Sequence, residues 1–299
     1  MTPDGFRDWL ARPPAGRRPL VMGVLNVTPD SFSDGGRFDT VERAVARALA
    51  MAAEGADLID VGGESTRPGS LPVPPAEQVA RIAPVLRALG DLARHGRLAV
   101  TLSVDTTRAD VADAALEAGA HVVNDVSAGR DDPGLLPLVA RRRVPVILMH
   151  MQGTPATMQL DPRYDDVTRE VGAFLRERAV AATDAGVAES DVLLDPGIGF
   201  GKTVAHNLEL LRRLGELAAG LGRPLVVGTS RKGFIGRVTG EQDPDRRLFG
   251  TAATVAWSVA NGASVVRVHD VGPMVQVARM IGAIQTGGEG GAAPFSAPR

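Results

Sequence analysis

The stretch that decides the fold reads Leu20-Val21-Met22-Gly23-Val24-Leu25, followed at once by Asn26-Val27-Thr28-Pro29-Asp30-Ser31-Phe32-Ser33-Asp34-Gly35-Gly36. The first part is an apolar run whose length suits a buried strand. The second part combines the turn-forming residues Pro, Gly, Asn and Asp with hydroxyl groups. Barrels and open α/β sheets carry their reacting groups on polar loops that leave buried strands in this way.

The same arrangement recurs down the chain, with helical patterns between the copies. Residues 40–54, for example, carry apolar side chains at helical spacing, and Gly55 ends the pattern. The predicted strands begin near Leu20, Leu58, Leu98, His121, Val144, Val192, Leu225 and Ser264. Strands that alternate with helices pair in parallel with right-handed crossovers. Eight such units in about 250 residues predict an α/β fold, a single (β/α)8 TIM barrel.

The alternative architecture is a doubly wound open sheet, which would carry a phosphate fingerprint after its first strand. Gly62-Gly63 and Gly197-Ile198-Gly199 do not supply the G-x-G-x-x-G spacing at that position. We therefore predict one barrel domain over residues 20–285. Residues 1–19 are expected to form a loosely ordered lead-in, and residues 286–299, rich in Gly, Ala and Pro, a disordered tail. One helix is expected around His206 to Leu217.

Composition excludes several classes of protein. A net charge of −2 leaves no basic footprint for nucleic acid, and 4% aromatic residues offer few platforms for base stacking. The sequence has neither an apolar run of membrane-spanning length nor a secretory signal at its start. The lack of Cys excludes disulfides and thiolate metal sites and is compatible with a cytoplasmic location. With five His and no Cys, no pair has the spacing of a zinc site.

The polar strand ends are the candidate functional residues, because strand ends of a barrel converge on one face. They are Asn26, Glu64-Ser65-Thr66-Arg67, Asp105, Asn124, Asp125, His150, Asp195, Ser230-Arg231-Lys232, Arg267 and His269. Any one of them could cap a helix or form a structural ion pair. Their convergence on one face indicates a binding site, although His150 and Arg231 are expected to be structural.

One group of these residues suits a flat heterocycle that bears amino and amide groups. Asp105, Asn124 and Asp195 can exchange hydrogen bonds with such a ring, and a carboxylate can pair with an N-C-NH2 edge through two parallel bonds. Lys232 and Arg267 would serve ring acceptors or negative charge, and the guanidinium plane of Arg267 could stack on the ring.

The remaining residues suit a phosphate-bearing group. Asn26, Thr66, Arg67 and His269 supply amide, hydroxyl and cationic groups around one edge of the predicted site. The amide oxygen of Asn26 and the carboxylates of the first loop would suit a Mg2+ ion that keeps most of its waters.

The sequence resembles the dihydropteroate synthase family over residues 20–284. The motifs that carry the resemblance are residues 23–36, Gly62-Gly63-Glu64-Ser65-Thr66-Arg67-Pro68-Gly69, Asp195-Pro196-Gly197-Ile198-Gly199-Phe200-Gly201-Lys202, Ser230-Arg231-Lys232 and Arg267-Val268-His269-Asp270. The resemblance implies a transferase of folate biosynthesis that condenses (7,8-dihydropterin-6-yl)methyl diphosphate with 4-aminobenzoate. It also implies a Mg2+ requirement, a cytoplasmic homodimer and an enzyme of the class that sulfonamides target.

The resemblance implies the following roles. The pterin would be held by Asp105, Asn124, Asp195 and Lys232, with Arg267 stacked on it and Met149 on its other side. Asn26 would lie at the Mg2+ and the diphosphate, and Thr66, Arg67, Arg267 and His269 would surround the leaving group. The aminobenzoate site would comprise Pro68, Phe200, Ser230, Lys232 and Gly233. The residues implied to be catalytic are Asp105, Asp195, Lys232, Arg267 and His269.

One departure and three rivals accompany this interpretation. Family members often carry Ser where this chain has Gly233, so a hydroxyl for the benzoate carboxylate is missing, although backbone N–H groups at the start of the next helix suit an anion. A pterin-site methyltransferase would have no use for a diphosphate site, and a non-catalytic pterin-binding paralogue would be expected to have lost Asn26, Lys232 or the Arg267/His269 pair. A phosphosugar isomerase would need a strand-end Glu base together with a glycine-rich phosphate loop after strand seven or eight, and that combination is not evident.

Overall fold

Eight parallel strands close into a barrel in the computed structural model, which describes residues 1–13, 17–28, 37–64 and 72–287. The strands are β1 Leu20–Asn26, β2 Leu58–Gly62, β3 Thr101–Asp105, β4 Val122–Asp125, β5 Val146–Met149, β6 Val192–Asp195, β7 Leu225–Val227 and β8 Ala263–Val268. They follow one another around the barrel in chain order, and β1 pairs with β8 to close it. The predicted (β/α)8 barrel is confirmed.

The helices follow the strands. They are α1 Pro3–Ala11, α2 Arg37–Glu54, α3 Pro75–Arg94, α4 Ala109–Glu117, α5 Leu135–Arg142, α6 Val167–Asp184, α7 Val204–Arg212, α8 Leu214–Leu221, α9 Gly233–Thr239, α10 Leu248–Ala260 and α11 Val271–Gln285. Short 3-10 turns lie over Glu189–Asp191 and Pro244–Arg246. In the part of the chain that the structure describes, no helix is both long and apolar enough to cross a membrane.

The barrel interior changes character along each strand. Near the strand starts, inward-facing side chains form one apolar cluster: Leu20, Met22, Leu58, Val122, Ile147, Leu193, Val226 and Val265. Because side chains alternate along a strand, the residue two positions further on faces the same interior. On four strands that residue is polar: Asp60 after Leu58, Asn124 after Val122, Asp195 after Leu193 and Arg267 after Val265. The interior is therefore apolar near the strand starts and polar near the strand ends, where the site lies.

The expectation of a loosely ordered lead-in over residues 1–19 is wrong for α1. The Thr2 hydroxyl caps this helix by accepting from Gly5 N at 3.2 Å, and Pro3 occupies its first turn. Phe6, Trp9 and Leu10, at helical spacing, are buried in the same cluster as the lower barrel interior. The helix forms because the open bottom of the barrel offers its apolar face a partner.

Two further expectations concern the helix around His206 and the C-terminal tail. The helix expected around His206 to Leu217 is two helices, α7 and α8, separated at Arg213. The Arg213 guanidinium binds Asp166 and Glu216, which holds the break against α6. Residues 288–299, most of the expected tail, lie outside the described residues.

Truncating a buried side chain of α1 should measure how much this helix contributes to stability. Phe6→Ala is expected to lower the free energy of unfolding by about 3–5 kcal/mol, because the side chain is 1% exposed and its loss leaves a cavity. Urea unfolding at 25 °C measures the change. Leu160→Ala is the matched control, since Leu160 is 81% exposed and its truncation should cost no more than about 0.5 kcal/mol. Equal, small losses in both variants would contradict the assignment of α1 as part of the core.

Candidate active site

A pocket opens where the strands end on the polar side of the barrel. Residues of β1, β4, β5, β6 and β8 and of the segments after β4, β6, β7 and β8 line it: Val24, Asn124, Val126, Met149, Asp195, Phe200, Gly228, Ser230, Lys232, Arg267 and His269. Eight of these were candidates from the sequence: Asn124, Met149, Asp195, Phe200, Ser230, Lys232, Arg267 and His269. The structure therefore brings most of the sequence candidates together.

The floor of the pocket is an ion-pair network around Arg267. Its Nε donates to Asp60 Oδ2 at 2.7 Å, and its Nη2 donates to Asp105 Oδ2 at 2.8 Å. Asp60 is fully buried and also accepts from Ser103 Oγ at 2.5 Å and from Asn124 Nδ2 at 2.9 Å. Four strands are thereby tied together, and the guanidinium is fixed from two sides.

Asp60 is the functional residue that the sequence interpretation missed. It stands within an apolar strand, whereas the site residues of a barrel are expected at the strand ends. Its signal was available in the sequence. A carboxylate inside a buried strand needs a charged or hydrogen-bonding partner, and it implies a cation on a neighbouring strand.

Burial sets the electrostatics of the pocket. Loss of solvent raises the pKa of Asp105 to about 7, although the Arg267 charge opposes the rise. Burial also raises the pKa of Asp195, with the Lys232 charge opposing it. It lowers the pKa of Lys232 to about 8, and here the Asp195 charge limits the fall. The site therefore holds groups that can change charge near neutral pH, as sites of chemistry often do.

The turn after β6 forms one wall of the pocket. Lys232 Nζ donates to Ile198 O and lies 4.7 Å from the ring centroid of Phe200. Gly197 has φ +64°, and a Cβ there would lie 1.9 Å from His150 O, so a side chain at this position is excluded. The turn thus packs against the segment after β5, and Lys232 reaches it from the other side.

Behind this turn lie His150 and the buried Lys202. Lys202 Nζ is 2.9 Å from His150 Nδ1, and it donates to Gly197 O and Phe200 O, each at 2.9 Å. Burial and the neighbouring cations lower the pKa of His150 to about 2, so its ring is neutral. These contacts agree with the structural role expected for His150.

The segment after β7 fixes His269. Ser230 Oγ accepts from the His269 backbone N–H at 3.1 Å and lies 3.0 Å from its ring Nδ1. Arg231 turns away from the pocket to bind Asp270, through Nε at 3.0 Å and Nη2 at 2.6 Å, and also pairs with Asp245. Arg231 is thus structural, as expected, and Ser230 acts on His269.

An apolar cluster forms another wall. Val126, Met149, Met151 and Met158 pack together, with the half-buried Phe200 against them. Methionine adapts to the shape of what it contacts, and sulfur packs favourably on aromatic rings. Val126, Met149 and Phe200 of this cluster line the same pocket as Arg267 and Lys232, and their apolar surface suits contact with a flat ring.

Several predicted site residues lie elsewhere or outside the described residues. Thr66, Arg67 and Pro68, together with residues 29–36, lie outside the described residues. Asp105 lies behind Arg267, and Asn26 is half-buried at the end of β1 beside Gly62. Gly233 begins α9, and among the described atoms none lies within 4 Å of a Cβ placed there.

The donor groups around the pocket do not form a preassembled metal cage. Within residues 1–13, 17–28, 37–64 and 72–287, no group of three His, Asp or Glu side chains is placed to hold a metal ion. The amide oxygen of Asn26 remains a suitable oxygen ligand at the pocket edge. One protein oxygen combined with substrate phosphates and water is the donor set that Mg2+ tends to use.

Comparisons with known proteins agree on one family. The family model described as "Pterin binding enzyme" matches residues 22–269. A dihydropteroate synthase of Synechocystis sp. is 45% identical over 90% of this chain and 91% of the relative. The solved Xanthomonas albilineans dihydropteroate synthase with 4-aminobenzoic acid has a TM-score of 0.83 and 48% identity, covering 90% of this chain and 93% of its own.

A second solved structure of that enzyme contains a different ligand. The Xanthomonas albilineans dihydropteroate synthase in complex with 7,8-dihydropteroate has a TM-score of 0.79 and 46% identity. The match covers 90% of this chain and 94% of the other. The similarity therefore extends over almost the whole folded chain and includes every described strand end of the pocket.

The Arg267 network can be tested through Asp60. Asp60→Ala is expected to lower the free energy of unfolding by about 3–5 kcal/mol, because it leaves a buried guanidinium with one carboxylate fewer. Urea unfolding measures the change. Asp91→Ala is the matched control: its partner Arg94 is 70% exposed, so the loss should stay within about 1 kcal/mol. A loss for Asp60→Ala no greater than that of the control would contradict the network.

Proposed function

This chain belongs to the pterin-binding enzyme family and, within it, to the dihydropteroate synthases, and from this premise we propose how its pocket is divided between two substrates. The enzyme condenses (7,8-dihydropterin-6-yl)methyl diphosphate with 4-aminobenzoate and releases 7,8-dihydropteroate and diphosphate. The observation that carries the division is the pocket itself, in which Asn124, Asp195, Lys232 and Arg267 face an apolar wall.

The pterin ring is proposed to lie between Arg267 and Met149. Arg267 is held edge-on by Asp60 and Asp105, so its flat face is available for stacking on a ring. Asp195 would take the N-C-NH2 edge of the pterin through two parallel hydrogen bonds. Asn124, whose amide nitrogen already donates to Asp60, would offer its oxygen to a ring N–H. Lys232 would donate to the ring acceptors.

Asp105 supports this site from behind. Its carboxylate binds Arg267 and is 7% exposed, so it acts on the pterin through the orientation and charge of the guanidinium. Asp105 and Asp60 together also place negative potential beneath the ring. That potential favours positive charge on the pterin, which is the charge that develops when the leaving group departs.

The diphosphate is proposed to lie toward Asn26, His269 and the loop that carries Thr66 and Arg67. His269 is oriented by Ser230, through its backbone N–H and its ring nitrogen. The amide oxygen of Asn26 would hold a Mg2+ ion, since one protein oxygen fits an ion that arrives with the substrate's phosphates. When bound, Mg2+ neutralises the negative charge that grows on the departing diphosphate.

The aminobenzoate is proposed to lie against Phe200, beside Lys232 and Gly233. Pro68, which lies outside the described residues, is a further proposed contact. The cation of Lys232 is 4.7 Å from the Phe200 ring centroid, and it provides positive charge near this wall. Ser230 contributes through the backbone of its turn, because its hydroxyl is engaged by His269. The open space beside Gly233 leaves room for the carboxylate where a side-chain hydroxyl is missing.

The reaction requires little general acid or base catalysis. The nitrogen lone pair of aminobenzoate forms a bond to the pterin methylene carbon, while the bond from that carbon to the diphosphate oxygen breaks. The electron pair of the broken bond leaves with diphosphate, and the amine proton passes to solvent. An aromatic amine is neutral at pH 7, so the residues contribute orientation and charge stabilisation in place of nucleophile activation.

An apolar surface on the outer helices supports the proposed homodimer. Val238 of α9, Phe249 and Trp257 of α10, and Met280 and Ile284 of α11 are 58%, 85%, 49%, 62% and 63% exposed, respectively. Apolar side chains that form a contiguous exposed patch mark an interaction surface, and we propose that these five form such a patch. A cytoplasmic location stays a prediction.

The reaction and the role of Lys232 can be tested together. Purified protein with pterin diphosphate, 4-aminobenzoate and Mg2+ is expected to release diphosphate, and release should require both 4-aminobenzoate and Mg2+. Lys232→Ala should lower kcat/KM roughly 10- to 100-fold, because hydrogen bonds from charged groups are worth about 1.5–3 kcal/mol. Arg237→Ala, an exposed cation on α9, is the control and should retain full activity.

The pH profile gives the same experiment a second readout. Lys232 is protonated below its pKa of about 8, so kcat/KM should be highest below that pH and fall as the pH rises through it. The Lys232→Ala variant should lack this step. Wild-type protein that binds the pterin without releasing diphosphate would overturn the reaction, and unchanged turnover in Lys232→Ala would overturn the role of the lysine.

The dimer can be tested by placing a charge on its proposed surface. Phe249→Asp is expected to convert the dimer to a monomer, because an unpaired carboxylate at a buried apolar contact is strongly disfavoured. Light scattering coupled to size exclusion measures the mass. Leu160→Asp, on the loop between β5 and α6, is the control and should remain dimeric. A monomeric wild-type protein, or a dimeric Phe249→Asp variant, would contradict the proposed surface.

A further inference from the structure

The chain contains only two lysines, Lys202 and Lys232, among its 33 lysines and arginines. Both reach the turn after β6, which carries Phe200. Every other basic position is Arg, so these two positions use the rarer cation of this chain. An ammonium group is compact and directs three hydrogen bonds in three directions, whereas a guanidinium is a larger, planar fork.

The Lys202 side chain lies behind the turn, on the side away from the pocket. Its Nζ lies 2.9 Å from each of three polar atoms: Gly197 O, Phe200 O and His150 Nδ1. The residue is 2% exposed, and three partners match the three hydrogen-bonding directions of an amine nitrogen. The backbone of the turn is therefore wrapped around a single side-chain atom.

Lys232 contacts the same turn from the pocket side. It donates to the carbonyl of Ile198, and its cation lies over the ring of Phe200. The carbonyls of residues 197 and 200 thus point inward to one lysine, and the carbonyl of residue 198 points outward to the other. Gly197, Gly199 and Gly201 have φ values of +64°, +86° and +60°, which supply the backbone reversals that this alternation needs.

We propose that Lys202 is a positioning residue for the amine substrate, because it fixes the turn that presents the Phe200 ring and the Ile198 carbonyl to Lys232. Lys202 is buried behind the turn and acts through Phe200 and Lys232. The inference rests on the proposed aminobenzoate site. In this proposal Lys202 controls the binding of 4-aminobenzoate and has no effect on the binding of the pterin.

Other contacts hold the same turn and offer a matched comparison. Tyr164 Oη donates to Gly201 O at 2.8 Å, and Gln159 Nε2 donates to Gly199 O at 2.7 Å. Neither bonds to the carbonyls of residues 197 and 200, the two that Lys202 draws inward. A role in general stability would be shared by all these contacts, whereas a role in orienting Phe200 belongs to Lys202.

Steady-state kinetics of Lys202→Met and Tyr164→Phe separate these roles. In Lys202→Met, which keeps the side-chain length and removes the donors, KM for 4-aminobenzoate is expected to rise about tenfold or more. The dissociation constant of pterin diphosphate should change less than about twofold, since a loss confined to one substrate identifies its own subsite. Tyr164→Phe should lower Tm and leave both constants within about twofold. Unchanged KM in Lys202→Met, or the same selective rise in Tyr164→Phe, would overturn the proposal.

A measurement on the wild-type protein covers the case in which Lys202→Met does not fold. With 15Nζ-labelled lysine, the two side chains give two nitrogen signals. The Lys202 protons are expected to exchange slowly with water, and addition of 4-aminobenzoate with the pterin should shift the Lys232 signal. If the Lys202 side-chain protons exchanged as fast as those of a free amine, the proposed role of Lys202 in fixing the turn would be overturned.

The two levels of inference fail in different ways. Wild-type protein that releases no diphosphate overturns the proposed reaction, whatever the lysine signals show. Wild-type protein that turns over, combined with a Lys202→Met variant of normal KM, overturns the positioning role alone.

Discussion

The guanidinium of Arg267, held between the carboxylates of Asp60 and Asp105, is the constraint on which the site depends. Burying such a charge is costly unless carboxylates and hydrogen bonds surround it. The contacts at 2.7 and 2.8 Å meet that requirement, and they tie β8 to β2 and β3 across the barrel. The upper interior must therefore be polar, whereas the lower interior and the helix α1 that packs against it are apolar.

The barrel could be predicted from the sequence because its pattern is local and repeated. Each apolar run ends in polar residues, and the helical patterns between the runs imply parallel strands. The α1 helix could not be predicted in this way. Phe6 and Trp9 of α1 are apolar residues at helical spacing in a short, Pro- and Arg-rich stretch, and what stabilises them is the far-separated bottom of the barrel. The break at Arg213 likewise depends on Asp166, which is distant in sequence.

Most of the pocket could be predicted, since strand ends of a barrel converge regardless of side-chain detail. Asn124, Asp195, Lys232 and Arg267 were found for that reason. What the sequence could not assign was which polar groups bond to one another. Asp60 lies mid-strand, and the Ser230 hydroxyl is engaged by His269. Such partnerships are set by strand register and side-chain direction, which residue types alone do not encode.

The placement of the two lysines makes the chain's response to proteolysis informative about its site. A protease that cuts only after lysine finds two targets among 299 residues, one inside the turn after β6 and one at the start of α9. Cleavage at either position requires that segment to unfold locally before the backbone can enter the protease. When opening and closing are fast relative to cleavage, the cutting rate reports the population of the opened form. The rate of digestion of the native enzyme would then measure how often this wall of the pocket comes apart, free of background from the rest of the barrel.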